Sequence, residues 1–507
     1  MNLLRDVFSM LYTSTRDNSV KVTASKAITD GISPDGGLYI PTEIPKLSRD
    51  EIKALCSADY KARAKKVLGM YLSDFTAEEL DYCVEGAYAD GKFSSDAVAP
   101  VVNLHDNVNI LELFKGPTCA FKDMALQILP YLLTVSAKKN LKDKEIVILV
   151  ATSGDTGKAA LEGFKGVEGT KILVFYPNDG VSPMQKLQMT TQEGGNVGVC
   201  AIQGNFDDAQ TGVKSIFTNK EILKRFEENN LVFSSANSIN WGRLAPQIVY
   251  YISAYCDMVN SGAVEFGDKI NIVVPTGNFG NILAAYFAKE MGLPVNKLIC
   301  ASNANNVLTD FIENGVYDRN RDFYTTVSPS MDILISSNLE RLLYILCGRD
   351  SDIINDWFTQ LKENGKYTVS DDVKSKISEV FAAGCCDDVM TKATIGRTYS
   401  DYNYLSDTHT AVAINVYNAY EEKTGDKTPV VIASTASPFK FSKAVLSAVD
   451  KDNKEYEDEF ATVAALEKVS SLKAPEQLAA LKGKEVRFNK LTSREDMAQV
   501  VFDMLGI

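Results

Sequence analysis

Histidine is almost absent from this chain: 507 residues contain 2, His105 and His409. No metal-ligand spacing of histidine or cysteine occurs, which excludes a histidine-rich metal centre. The 9 cysteines are scattered without a Cys-x-x-Cys pair; only Cys385 and Cys386 adjoin, and sequence neighbours rarely close a relaxed disulfide. A reducing cytoplasm fits that usage. Basic excess is missing as well. The 53 Lys and Arg stand against 66 Asp and Glu, a net charge of −13, which argues against a nucleic-acid or anionic-membrane partner. No apolar run reaches the ~18 residues of a membrane span. Residues 1–10 mix apolar side chains with Arg5 and Asp6 and lack the apolar core and small-residue cleavage site of a secretory leader. Internal repeats, low-complexity tracts and flexible linkers are also missing.

Hydrophobic residues make up 45% of the chain, enough over this length for two or three ordinary cores and too much for disorder. The first ~95 residues carry helical periodicity, as at 50–57 and 77–88, without strand-helix alternation. They read as an α-rich amino-terminal domain, 1–95. A strand-helix series follows, with strands at 145–150, 171–176 and 197–202 and helices at 156–164 and from 182. A second series holds a helix at 247–259, strands at 271–274, 297–301 and 430–433, and helical stretches at 328–347 and 352–362; an apolar helix over 124–133 precedes the first series. Strands alternating with helices imply parallel sheets. The expected organisation is an α/β domain over 96–235, another over 236–440, and a helical tail over 441–507, charged around 451–459.

Two distant segments carry the chemistry. Lys122 lies in Gly116-Pro117-Thr118-Cys119-Ala120-Phe121-Lys122-Asp123, ahead of an apolar stretch. A lysine near a helix start with restricted solvation has a lowered amine pKa and can form an imine; the competing reading is an ordinary surface lysine. The second segment, Pro275-Thr276-Gly277-Asn278-Phe279-Gly280-Asn281, follows the apolar run 270–274 and opens an amphipathic run over 282–291. That is strand, glycine loop, helix. Backbone N–H groups and the helix dipole converge on an anion there, and Gly277 and Gly280 permit positive φ and close ligand approach. A lysine plus a phosphate cup points to pyridoxal 5'-phosphate. A nicotinamide site lacks its Gly-x-Gly-x-x-Gly. The run Ser153-Gly154-Asp155-Thr156-Gly157-Lys158 is not a nucleotide loop either, because Thr152 replaces its first glycine and Ala159 its closing hydroxyl.

These three segments, in this order, resemble the threonine synthase family of fold-type II pyridoxal phosphate enzymes. The likeness runs from Tyr12-Thr13-Ser14-Thr15-Arg16, through Asp35-Gly36-Gly37-Leu38-Tyr39-Ile40-Pro41, to Ser434-Thr435-Ala436, and so covers nearly the whole chain. Its length and amino-terminal extension are similar to the longer subgroup of fungi and many bacteria. The resemblance implies two tryptophan synthase β-like α/β domains with an α-rich amino-terminal domain. It makes Lys122 the Schiff-base lysine and proton carrier, and gives the phosphate of the cofactor to Gly277, Asn278, Phe279, Gly280 and Asn281. Thr435 falls beside the pyridine nitrogen, although a strand-end threonine also caps backbone.

By the same likeness, Ser153, Thr156 and the Asp155 amide grip the substrate α-carboxylate, with the Asp155 side chain turned elsewhere, toward a substrate ammonium. Asn237, Ser238 and Arg243, in Ser234-Ser235-Ala236-Asn237-Ser238-Ile239-Asn240-Trp241-Gly242-Arg243, are the expected ligands of the substrate phosphate, and Lys186 is a weaker one. The competing reading is a capped helix with Arg243 paired to a carboxylate. Lys115 and Ser437 stand where the family commonly has histidine. His409 reads as a structural hydrogen-bonder. The implied reaction turns O-phospho-L-homoserine and water into L-threonine and phosphate, with the small molecule as sole partner and the chain a monomer or homodimer. A phospho-lyase releasing 2-oxobutyrate and ammonia, a serine/threonine dehydratase and a non-catalytic protein on the same fold are the alternatives.

Overall fold

The computed structural model describes residues 10–142, 144–152, 154–179, 181–450 and 454–507. Ser153, residues 1–9 of the leader reading and residues 451–453 of the charged tail lie outside them.

Near-continuous apolar runs make strands that are buried on both faces, as parallel sheets require. All six residues of Ile270–Pro275 are buried. That strand is central in a 6-stranded sheet ordered Phe381–Cys385, Val295–Ser302, Ile270–Pro275, Val430–Ser434, Val108–Glu112, Val101–His105. Every pairing is parallel except the last, an antiparallel hairpin. Residues 101–112, grouped above with the first α/β series, thus pair into the second sheet. The other sheet has 5 strands, ordered Leu491–Thr492, Val197–Ile202, Thr170–Pro177, Glu145–Ala151, Leu231–Ser234, all parallel. The carboxyl-terminal tail therefore supplies an edge strand, and its helix Met497–Leu505 shares that sheet's core.

The amino-terminal region is helical as expected, with capping boxes at Ser48/Glu51 and Thr76/Glu79 starting Arg49–Cys56 and Ala77–Ala87. It also contains a two-stranded ribbon, Tyr12–Ser14 against Tyr39–Pro41, made of the first two family-like segments. Trp241 ties this region to the rest: its ring lies 5.5 Å from Tyr12, 5.4 Å from Tyr71 and 5.4 Å from Phe287.

Two expected helices differ. Residues 124–133 form Asp123–Leu126 and then Leu129–Asn140, because Pro130 has no N–H to give the Leu126 carbonyl. Over 328–347, only Pro329–Met331 and Leu339–Leu346 are helical. Asp332 instead accepts from the Thr326 N–H (3.0 Å), the Thr326 hydroxyl (2.7 Å) and Asn303 (2.7 Å), and Ser336 donates to the Gly277 carbonyl (2.9 Å). Side chains that bond locally or across loops compete with helix here.

Candidate active site

The segments that carry the candidate site leave the carboxyl ends of parallel strands, where open α/β sheets bind ligands. Residues 113–122 follow Val108–Glu112, residues 152–157 follow Glu145–Ala151, residues 235–243 follow Leu231–Ser234, residues 276–281 follow Ile270–Pro275, and residues 435–440 follow Val430–Ser434.

The Lys122 segment is held on both sides. The Asp123 carboxylate accepts from the Thr118 N–H (2.8 Å) and hydroxyl (2.6 Å), which closes the loop. Cys119 sits at φ 58°, an uncommon conformation for a residue with a side chain. The Phe121 N–H donates to the Thr435 carbonyl (2.8 Å) and the Ser437 N–H to the Cys119 carbonyl (3.0 Å), so the lysine segment is stitched to the strand end bearing Thr435. Lys122 keeps part of its surface open, and its amine has no hydrogen-bond or ion-pair partner among the described residues. Burial pushes that amine down to about 8; Asp155 opposes the shift, and the Arg243 and Lys440 cations add to it. Burial likewise pushes the Asp123 carboxyl up to about 6 against the hydrogen bonds from Thr118.

The glycine loop has the expected form with one correction. The positive φ falls on Phe279 (φ 61°), while Gly277 and Gly280 are not in the left-handed region. Their smallness serves close approach instead: a Cβ on Gly277 would meet the Ser330 carbonyl oxygen at 2.8 Å, and one on Gly280 would lie 3.4 Å from both Asn338 Nδ2 and Ser238 Cβ. Asn278 is exposed, and its carbonyl accepts from the Asn338 N–H (3.1 Å). Asn281 Oδ1 accepts from Tyr250 (2.8 Å) and Tyr251, which leaves its Nδ2 buried with no partner among the described residues. An orphaned buried donor at a helix start fits a phosphate, and the unpaired Lys122 amine fits an aldehyde, the two ends of pyridoxal phosphate.

The carboxylate loop turns at Gly154 (φ 145°), where a Cβ would strike the Gln185 amide at 2.4 Å. Thr152 organises the turn, its hydroxyl oxygen accepting from the Gly154 (3.0 Å) and Gly157 (2.9 Å) N–H groups. The Thr156 hydroxyl has no partner among the described residues; Ser153 is not described. The Asp155 side chain faces Lys440 at 2.8 Å and accepts from Gln185 Nε2 (2.9 Å). It is therefore committed to a protein cation rather than free for a substrate ammonium. Burial alone would raise its pKa, but Lys440 and Lys122 hold it well below the usual carboxylate range.

Arg243 is buried, donates Nη1 to the Ala236 carbonyl (2.5 Å) and pairs with no carboxylate among the described residues. Burial pushes it down to about 10. Asn237 is exposed, whereas Ser238 stands against Gly280, beside the glycine loop. Lys186 is tied to Asn178 (3.0 Å). His409 Nδ1 faces Asp407 (2.8 Å) and its Nε2 accepts the Ser330 N–H (3.2 Å), which makes it an anchor of the turn that packs on Gly277. Lys115 pairs with Glu112 (2.8 Å), and Ser437 caps Pro438–Phe441. Lys440 was not among the expected site residues. Its sequence signal is a charge between Phe439 and Phe441, directly after Ser434-Thr435-Ala436.

Fold and site together define a fold-type II pyridoxal phosphate protein. Residues 11–88 match the family described as Threonine synthase N terminus, residues 103–354 the Pyridoxal-phosphate dependent enzyme family, and residues 410–501 the family Threonine synthase, C-terminal. Threonine synthase of Saccharomyces cerevisiae is 36% identical over 97% of this chain and 99% of its own. Human threonine synthase-like 1 is 41% identical over 88% of this chain, which spans 61% of that protein's length. The crystal structure of pyridoxal-phosphate-bound threonine synthase from Brucella melitensis superposes with a TM-score of 0.86, 37% identity and coverage of 98% and 99% of the two chains. The yeast structure gives 0.87 at 34% identity. The chain belongs to the threonine synthase family.

Proposed function

We propose that this chain converts O-phospho-L-homoserine and water to L-threonine and phosphate. The observation that carries the reading is the end-to-end likeness to yeast threonine synthase, taken with an unpaired Lys122 amine whose charge is felt by Asp155, Arg243 and Lys440. Bound pyridoxal phosphate supplies an electron sink for carbanions at Cα and Cβ of the substrate. The protein does the rest. The 277–281 cup holds the cofactor phosphate, aided by the orphaned Asn281 Nδ2. Lys122 anchors the aldehyde, and its Nζ, poised near neutrality, carries protons to and from substrate carbons. Thr435, stitched to the Lys122 segment, offers the pyridine nitrogen a hydroxyl in place of a carboxylate.

The amide of Asp155, the Thr156 hydroxyl and Ser153 take the substrate carboxylate. Arg243, a buried cation without a carboxylate, takes the substrate phosphate with Asn237, and Lys440 holds the Asp155 side chain in place. Phosphate leaves Cγ, and water adds at Cβ. The nine free cysteines support a reducing cytoplasm. No described helix is long and apolar enough to cross a membrane. Since all these residues come from one chain, a monomer or a homodimer can work. The test is assay of the loaded protein with O-phospho-L-homoserine: threonine and phosphate in equal amounts support the reading, and 2-oxobutyrate with ammonia replaces it with the lyase.

A further inference from the structure

Arg341 is 0% exposed and lies in the first turn of Leu339–Leu346. The acid beside it, Glu340, is turned away to the Arg16 guanidinium (2.9 and 2.8 Å) and the Thr15 hydroxyl (2.6 Å). Arg341 therefore meets no carboxylate among the described residues. Its donors go to neutral oxygens: Nε to the Tyr39 carbonyl (2.9 Å), Nη1 to the Ser238 carbonyl (3.2 Å) and Asn338 Oδ1 (2.5 Å), Nη2 to the Ile239 carbonyl. Burial pushes the guanidinium down, Glu340 opposes that only through space, and a buried charge hydrogen-bonded to neutral partners is costly unless an anion offsets it further.

The same contacts lead to the glycine loop. Because the Asn338 oxygen must face the guanidinium, its Nδ2 faces away and donates to Ser238 Oγ (2.9 Å). That leaves the Ser238 proton free to be given. The Asn338 N–H meanwhile fixes the Asn278 carbonyl (3.1 Å). Asn338 Nδ2 and Ser238 Cβ both lie 3.4 Å from where a Gly280 Cβ would be. A guanidinium, an amide and a hydroxyl thus form a polarised line that ends at the loop.

We propose that Arg341, through Asn338 and Ser238, is a positioning residue and the buried counter-charge for the cofactor phosphate. This rests on reading residues 277–281 as the phosphate cup. Purely structural stapling of Tyr39 to residues 238–239 needs donors, not a charge directed at one ligand group, so the phosphate itself is the discriminating probe.

The experiment titrates cofactor-free protein with pyridoxal 5'-phosphate and, separately, with pyridoxal, reading binding by absorbance and intrinsic fluorescence. Arg341→Gln is expected to weaken pyridoxal phosphate at least ~10-fold and pyridoxal less than ~2-fold. Arg341→Lys, which keeps the charge, is expected to fall between Arg341→Gln and the native chain. Equal losses for both probes overturn the proposal and leave Arg341 a staple of the fold. Should Arg341 variants fail to fold, Asn338→Leu decides: it removes the amide that links the guanidinium to the Ser238 hydroxyl, so it must weaken the phosphate probe selectively, and equal effects on both probes overturn the proposal. Gly280→Val is the control for the cup. If it discriminates between the probes and Arg341→Gln does not, only this inference fails; if Gly280→Val does not discriminate, the cup reading fails with it.

Discussion

The carboxylate of Asp155 and the ammonium of Lys440 lie 2.8 Å apart, and both are shut off from water. Each also acts on Lys122, Asp155 holding its amine pKa up and Lys440 holding it down. Burial sets the pH at which Lys122 becomes a nucleophile, and the two charges tune it in opposite directions.

The rate at which cofactor-free protein captures pyridoxal phosphate should rise with pH around about 8, since only the free amine reacts. Lys440→Met removes a cation and leaves Asp155 to stabilise the ammonium, so the midpoint moves up. Asp155→Asn removes the anion and leaves Lys440 unopposed, so it moves down. Stopped-flow absorbance across pH 6 to 10 reads both, and shifts of the same sign contradict the arrangement. Each variant also strands a buried charge, at a cost of roughly 3–5 kcal/mol in thermal unfolding.

Lys122→Ala should fold and lose the adduct that borohydride fixes; mass mapping of the native chain should place the reduced adduct on Lys122. The amine's lowered pKa carries a stability cost as well. The unfolded chain protonates near 10.5 and the folded one near 8, so below pH 8 folding works against a charged lysine, and the cost fades above about 10.5. Cofactor-free Lys122→Met should thus be more stable at pH 7, by about 1–3 kcal/mol. Equal stability by chemical denaturation refutes the burial argument.

Gly277 and Gly280 should separate. Gly277→Ala drives a Cβ to 2.8 Å from the Ser330 carbonyl, in a turn pinned by His409, and should destabilise cofactor-free protein by about 1–3 kcal/mol. Gly280→Ala meets only ordinary 3.4 Å contacts. It should leave that stability within ~0.5 kcal/mol.

Arg243→Ala should lower kcat/KM for O-phospho-L-homoserine by roughly tenfold or more, the worth of one charge-assisted contact. Cofactor absorbance and the spectral response to serine should persist. If serine binding falls equally, Arg243 serves the fold or the carboxylate.

Much of this was legible in residues 116–123, 153–157 and 277–281, because strand-to-loop-to-helix junctions announce themselves through apolar runs ending in glycine. What the sequence hid depends on contacts between distant segments. Lys440 gains meaning only when the chain after Val430–Ser434 returns over the turn at Asp155. Arg341 reads as one charge on an amphipathic helix until Tyr39, Ser238 and Ile239 surround it. Phe279, and not its neighbouring glycines, takes the left-handed conformation. The helix expected over residues 328–347 is interrupted, since apolar periodicity does not register side chains that bond to other loops.

The central claim is tested most directly by turning over O-phospho-L-homoserine in water enriched in oxygen-18 and following the label. Cleavage at Cγ with water added at Cβ places one heavy oxygen in the threonine hydroxyl and none in the phosphate, in equal amounts of product. Label in the phosphate with homoserine as product, or 2-oxobutyrate and ammonia in place of threonine, contradicts it.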